Sequence, residues 1–220
     1  MPDGLTIRPE GLTLSQLRVR LGDSVLVDLD AHVAPGEVLT VMGPSGSGKS
    51  TLLGAITGTL APAFAMQGAI GLDGEDITAR PTHRRRVGLM LQDDVLFPHL
   101  SVGGNLAFAL DPSVRGRRAR RARVEQALAD AGLDGMADRD PATLSGGQRA
   151  RVGLMRTLLA APRAVLLDEP FSKLDTALRD QIRGFVFDRV RAEGLPCLLV
   201  THDAADAAAA GGPVVAPHAD

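Results

Sequence analysis

The segment Gly43-Pro44-Ser45-Gly46-Ser47-Gly48-Lys49-Ser50 constrains this chain more than any other. It fits G-x-x-x-x-G-K-[ST], the phosphate-binding P-loop, a pattern that acts only between a strand and a helix. Both flanks are present. Residues 37–42 (EVLTVM) are a short apolar, β-branched run that reads as a buried strand, and the stretch from Thr51 onward (TLLGAITG) reads as a helix. In that setting backbone N–H groups converge on phosphate oxygens, and the positive end of the helix dipole reinforces them. Gly46 and Gly48 let the backbone approach closely. Lys49 supplies a point charge for the β- and γ-phosphates, and the Ser50 hydroxyl, followed by Thr51, is placed for magnesium. The chain has 24 basic residues, of which only Lys49 and Lys173 are lysines. Arginine serves nearly everywhere else, yet a lysine falls where a compact ammonium is wanted.

At 220 residues the chain is long enough for one large domain with a sizeable core. A net charge of −2 predicts no global attraction to nucleic acid or anionic lipid. Cys197, the single cysteine, excludes internal disulfides, and its neighbours (CLLV) make it a buried strand residue. The N-terminal residues (MPDGLTIRPE) show no apolar signal region, so a reducing cytoplasm is the expected home. Residues 50–72 carry no charge and match a membrane span in length. However, they hold four glycines, Pro62 and Gln67 and begin inside the phosphate loop, which predicts a helix, a turn at Ala61-Pro62 and a strand near residues 69–72.

Periodicity gives an α/β order. Residues 12–21 (LTLSQLRVRL) alternate as a half-exposed strand, and residues 25–33 are the partner after a Gly22-Asp23 turn. Residues 87–91, 165–167 and 197–200 are further apolar strands, and Asp73-Gly74 is a turn. Residues 101–161 are helical in pattern, broken at Asp111-Pro112, Gly132 and Pro141. Leu178, Ile182, Phe185 and Val190 fall on one face of a helix opened by Asp175. Apolar strands alternating with helices imply a parallel sheet covered on both faces. The run Arg115, Arg117, Arg118, Arg120, Arg121, Arg123 invites a nucleic-acid reading. With no tyrosine, no tryptophan and six phenylalanines, stacking platforms are scarce, and a solvated helix face is the expectation.

A second set of residues makes the reading specific. The apolar strand before Asp168-Glu169 ends in two acids: Asp168 can hold magnesium through water, and Glu169 can orient and deprotonate an attacking water. Gln92 follows one strand and can ligate magnesium; His202 follows another and can hydrogen-bond a γ-phosphate. Leu144-Ser145-Gly146-Gly147-Gln148 opens a helix and offers a hydroxyl and backbone donors, a second anion site. In order, GPSGSGKS, Gln92, LSGGQ, VLLDEP, SKLD and TH resemble the ATPase subunit of ATP-binding cassette transporters over about residues 12–206. The stretches DPATLSGGQRARVGLMRTLLA and DEPFSKLDTALR look closest to a small group of uncharacterised bacterial importer ATPases related to those for thiamine, iron and polyamines.

That resemblance implies an α/β fold: a P-loop core with a parallel sheet, an N-terminal antiparallel β subdomain, and an inserted helical subdomain. Residues 1–220 would form one ATPase domain, with about 1–92 and 146–220 as the core and about 93–145 as the helical part. It implies ATP and Mg2+ as ligands, Ser50, Gln92 and Asp168 toward the metal, and Glu169 and His202 as catalytic residues. Two subunits would meet head to tail, with ATP between the P-loop of one and Ser145, Gly146, Gly147 and Gln148 of the other, and Asp175 at the seam. The segment around Phe97, Pro98, His99 and Leu100 resembles the importer surface that receives a permease helix. A homodimer on the cytoplasmic face of the inner membrane, serving a permease pair and indirectly a periplasmic solute-binding protein, is the implied setting, without nucleic acid.

Two departures accompany the resemblance. The family usually places an aromatic ring against adenine about where Leu21 stands, with Val27 as another apolar residue that can cover the base. Many importer ATPases also carry a C-terminal regulatory domain, for which the tail after His202 is too short. The competing readings are an exporter or lipid-extrusion ATPase and a non-transport member. The DNA-repair type needs a long coiled-coil insertion, and the 93 residues between Ser50 and Leu144 show no sustained heptads.

Overall fold

The alternation of residues 12–21 does what it predicts. In a computed structural model, which describes residues 5–92 and 96–218 (the backbone alone for Ala177), β1 (Leu12–Leu21) pairs antiparallel with β2 (Ser24–Val33) across the two-residue turn Gly22-Asp23. Leu17, Val19, Val27 and Leu29 face the core while Arg18, Asp28 and Asp30 stay outside. Gln16, at φ 48°, forms a bulge that shifts the register with both neighbouring strands.

β3 (Val38–Met42) leads into α1 (Lys49–Thr57), and β4 (Phe64–Leu72) then returns beside β1. β4 begins five residues before the strand expected at residues 69–72. Its first half, FAMQG, has little strand character and is set by pairing with β1, Phe64 opposite Leu21 and Met66 opposite Val19. β5 (Glu75–Asp76) completes an antiparallel sheet of order β2-β1-β4-β5. The short α2 (Thr82–Arg85) precedes β6 (Val87–Met90). The helical stretch divides as its breakers predict: α3 (Val102–Ala109), α4 (Arg117–Asp130), a 3-10 turn (Pro141–Thr143) and α5 (Gly146–Leu159). β7 (Ala164–Asp168), α6 (Thr176–Ala192), β8 (Cys197–Thr201), α7 (Ala204–Ala210) and β9 (Val214–Val215) follow. The second sheet has the order β6-β7-β8-β3-β9, and β7–β8, β8–β3 and β3–β9 run parallel. Such a sheet needs the near-continuous apolar runs that VLLD and CLLV supply.

The chain divides into two compact units, Met1–Leu89 with Arg163–Glu169 and Phe187–Asp220, and Met90–Pro162 with Pro170–Val186. The first is built on one core running from Leu14 and Ile70 of the antiparallel sheet to Leu52 and Ile56 of α1 and Leu166 and Leu198 of the parallel sheet. Each such buried side chain is worth about 1.5–3 kcal/mol in apolar area removed from water. The second is centred on Val102, Leu106, Val124, Leu128, Val152 and Met155 from α3, α4 and α5. On α6 the fully buried apolar positions are Ile182, Val186, Phe187 and Val190. Phe185, expected on that face, is half-buried and packs on the second unit's core under the Arg151 guanidinium, 5.4 Å from its ring centre.

Other expectations find their outcome here. Arg115, Arg117, Arg118, Arg121 and Arg123 are exposed, while Arg120 turns in to donate to the carbonyls of Val114 and Ala107. Cys197 is fully buried, and that burial pushes its thiol up to about 12. Arg85 is 5% exposed, and its guanidinium donates to the carbonyls of Ala55, Ile56, Thr78 and Arg80. It thereby brings a cation to the last turn of α1, which has no basic residue of its own. No helix among the described residues is long and apolar enough to cross a membrane.

Candidate nucleotide site

The buried strand β3 delivers the chain to the glycine loop, and the loop's geometry selects its residues. Gly46 and Gly48 lie at φ 84° and 94°. A Cβ on Gly48 would stand 2.0 Å from the Leu26 carbonyl oxygen, so only glycine fits there. The α1 N-terminus has no side-chain cap and no acid in its first turn. By contrast Ser101, Ser145 and Asp203 each cap their helices by accepting from backbone amides. The first amides of α1 are thus left to an incoming anion. Ser47 Oγ is buried and makes no hydrogen bond, a polar atom that a phosphate oxygen would satisfy. Lys49 is 8% exposed, and its Nζ donates to the carbonyls of Gly43 at 2.6 Å and Pro44 at 2.8 Å. Its head group is therefore folded over the loop. Ser50 is exposed and Thr51 half-buried in the first turn. These features fit a triphosphate.

The acids come from neighbouring strand ends in the same unit. Asp168 ends β7 half-buried. Burial, then the charge of Glu169, holds its carboxyl above the usual range, while the Lys49 ammonium pulls the other way. Glu169 is left-handed at φ 45°, and its N–H donates to Val200 O at 2.9 Å, which locks the turn out of the sheet. His202, just past β8, brings Nδ1 to 3.0 Å from Glu169 Oε1. The Glu169 side chain is 19% exposed and that of His202 62%, so the pair lies at the surface with the carboxylate on the sheltered side. One unit therefore gathers Lys49, Ser50, Asp168, Glu169 and His202, five of the residues the motifs single out. Among the described residues no cluster of three His, Cys, Asp or Glu could hold a metal unaided.

The remaining motif residues lie in the second unit. Gln92 is exposed, two residues beyond β6. Ser145 and Gln148 close a reciprocal capping box: Ser145 Oγ accepts from Gln148 N–H at 3.3 Å, and Gln148 Oε1 accepts from Ser145 N–H at 3.0 Å. The N–H groups of Ser145 and Gln148 are thus engaged within the motif itself, while the Ser145 hydroxyl only accepts in this box. A Cβ on Gly147 would meet Leu178 Cδ2 at 2.6 Å, and Gly146 has Leu174 at 3.4 Å, so these glycines also admit close packing. Asp175 is exposed and accepts from Leu178 N–H, opening α6.

Two residues escaped the sequence reading. Asn105, fully buried in α3, accepts from Phe97 N–H at 2.7 Å, and its amide donates to the carbonyls of Phe97, Leu100 and Ser101. It holds the 97–101 loop in shape; an asparagine inside an otherwise apolar helix was the available signal. Phe108 is 69% exposed and stacks edge-on against Phe97, ring centres 5.0 Å apart, with the Arg156 guanidinium 5.1 Å from the Phe97 ring centre. At the hairpin, Leu21 and Val25 are exposed, whereas Val27 is fully buried in the core and cannot cover a base.

A strand, a glycine loop with an uncapped helix, and paired acids at the neighbouring strand end define a P-loop nucleoside triphosphatase. Residues 26–172 match the ABC transporter family, and the chain belongs to it: it is an ATP-binding ATPase subunit. It is 48% identical over 196 residues to the uncharacterised ABC transporter ATP-binding protein YnjD of Escherichia coli K12, covering 89% of this chain and 90% of that one. It is 43% identical to the thiamine import ATP-binding protein ThiQ of Cereibacter sphaeroides, covering 89% and 83%. It is 45% identical to the Fe(3+) ions import ATP-binding protein FbpC of Streptomyces coelicolor, covering 94% of this chain but only 59% of that longer relative.

Proposed function

We propose that this chain energises solute import through a separate membrane permease. Two copies associate head to tail, each P-loop (residues 43–51) binding ATP against Ser145, Gly146, Gly147 and Gln148 of the other copy, with Asp175 at the seam. Ser50, Asp168 and Gln92 would hold Mg2+, which when bound neutralises charge on the phosphate oxygens. Glu169 takes the proton of the attacking water as its oxygen bonds to the γ-phosphorus and ADP leaves; His202 donates to the γ-phosphate and steadies Glu169. ATP closes the pair, hydrolysis releases it, and the permease switches access by binding the two states differently. The permease meets the loop of Phe97, Pro98, His99 and Leu100, at the cytoplasmic face of the inner membrane, with a periplasmic solute-binding protein upstream. Residues 1–220 act as one ATPase domain in this reading.

The observation that carries the chemistry is the 3.0 Å contact of His202 with Glu169, next to the strand-end Asp168. Relatives named for iron and thiamine import favour import over export. Glu169→Gln keeps the shape and removes the basicity, so turnover should fall on the order of a hundredfold or more while ATP still binds and holds a dimer. Near-normal steady-state hydrolysis by that variant would sink the assignment.

A further inference from the structure

We infer that Thr201 and Asp206 form a buried hydrogen-bonded brace that positions His202, and so control the hydrolytic step rather than nucleotide binding. The inference rests on the role given to His202 above. His202 is anchored weakly by its own ring: its side chain is 62% exposed and, in this structure, meets Glu169 on one side. Its backbone is held far more firmly. Thr201, the last residue of β8, is 1% exposed and pairs with Met42 at the end of β3. A hydroxyl has one hydrogen to give and lone pairs to accept with, and Thr201 uses both. Oγ1 donates to Asp206 Oδ2 at 2.8 Å and accepts from Asp203 N–H at 3.0 Å.

These bonds straddle His202. Thr201 precedes it, Asp203 follows it, and Asp206 lies in the first turn of α7, the helix that Asp203 itself caps through Ala205 N–H at 2.7 Å. Asp206 is 3% exposed, so the acceptor end of the brace is buried as well. The direction of the His202 Cα–Cβ bond is therefore fixed from the sheet on one side and the helix on the other. Neither Thr201 nor Asp206 contacts the P-loop lysine or Asp168 in these bonds, so loss of the brace should spare ATP affinity. Both are positioning residues, acting through His202.

The test uses the assembled transporter or the full chain with ATP and magnesium. Thr201→Val matches the shape of threonine but can neither donate nor accept. It should lower kcat about tenfold while KM for ATP stays within about twofold. Thr201→Ser, which keeps the hydroxyl, should restore kcat to within about twofold of wild type. Asp206→Asn, still an acceptor, should stay near wild type while Asp206→Ala resembles Thr201→Val; this pair decides the matter if Thr201→Val does not fold. On a His202→Ala background, Thr201→Val should add less than about twofold, because what it positions is gone. The inference is overturned by a normal kcat in Thr201→Val, by a further tenfold loss on the His202→Ala background, or by a KM that rises with the loss and is not rescued by serine. A near-normal rate for His202→Ala itself would instead remove the reading of His202 on which the inference stands.

Discussion

Replacing Arg85 tests how the phosphate-loop helix is held at its far end. Its guanidinium makes four bonds to backbone carbonyls, of which Ala55 O and Ile56 O belong to the last turn of α1. Hydrogen bonds to a charged group are worth about 1.5–3 kcal/mol each, so four bonds set a gross figure of roughly 6–12 kcal/mol. Arg85→Met also removes a buried cation whose desolvation costs several kcal/mol. Ala55 O keeps a partner, since Gly58 N–H donates to it at 3.3 Å. Two or three stranded carbonyls then leave a net loss of about 3 kcal/mol. For a chain of this size that is a fall in Tm of about 6–12 °C. Arg85→Lys retains the charge but lacks the planar fork, so it should lose about 2 kcal/mol. Urea denaturation and thermal melts of both variants measure this. A loss below about 1 kcal/mol in Arg85→Met, or a lysine variant equal to wild type, would refute the view that guanidinium geometry closes this helix.

On the proposed head-to-tail pairing, Lys49→Ala and Ser145→Arg should each fail alone and partly recover when mixed, because a mixed pair would restore one shared site; ATPase rate against mixing ratio, with mixed dimers shown to form, reads it. With Val27 buried and Leu21 and Val25 the exposed apolar side chains at the hairpin, GTP should be hydrolysed at a rate similar to ATP. Leu21→Tyr should tighten ATP by roughly 1 kcal/mol, about fivefold, in parallel titrations of the two nucleotides. The Cys197 thiol, buried and held protonated up to about 12, should resist maleimide in the native protein and react once on unfolding, as mass spectrometry would show.

What the sequence made legible was local. The hairpin could be read because its alternation and turn residues lie within about twenty positions. The P-loop was legible because its glycines answer to local backbone geometry. The first half of β4 was not, since β1 imposes it across more than forty residues. The same limit applies at the site. Glu169 and His202 could each be named from their strand ends, but their 3.0 Å contact spans 33 residues of sequence. The left-handed turn at Glu169 carries no glycine to announce it. Phe185 was misplaced by one position because a helical face drawn from four apolar residues tolerates steps of three or four equally. Val27 failed as a base cover because alternation, read through the irregular register near Arg20, sends it inward.

The narrow gap between Gly48 and the Leu26 carbonyl has a consequence for anyone wishing to tag or re-engineer this protein. Leu26 lies on β2, three residues beyond Asp23, and its backbone abuts the loop that must fit a phosphate chain. At the tip, Gly22 has open space around it and both turn residues are exposed. A reporter peptide spliced between Gly22 and Asp23 should be accommodated, whereas one extra residue between Asp23 and Leu26 would slide a carbonyl along the loop and spoil its fit. Tolerance to insertion thus changes from free to forbidden within a few residues, between the hairpin turn and the start of β2.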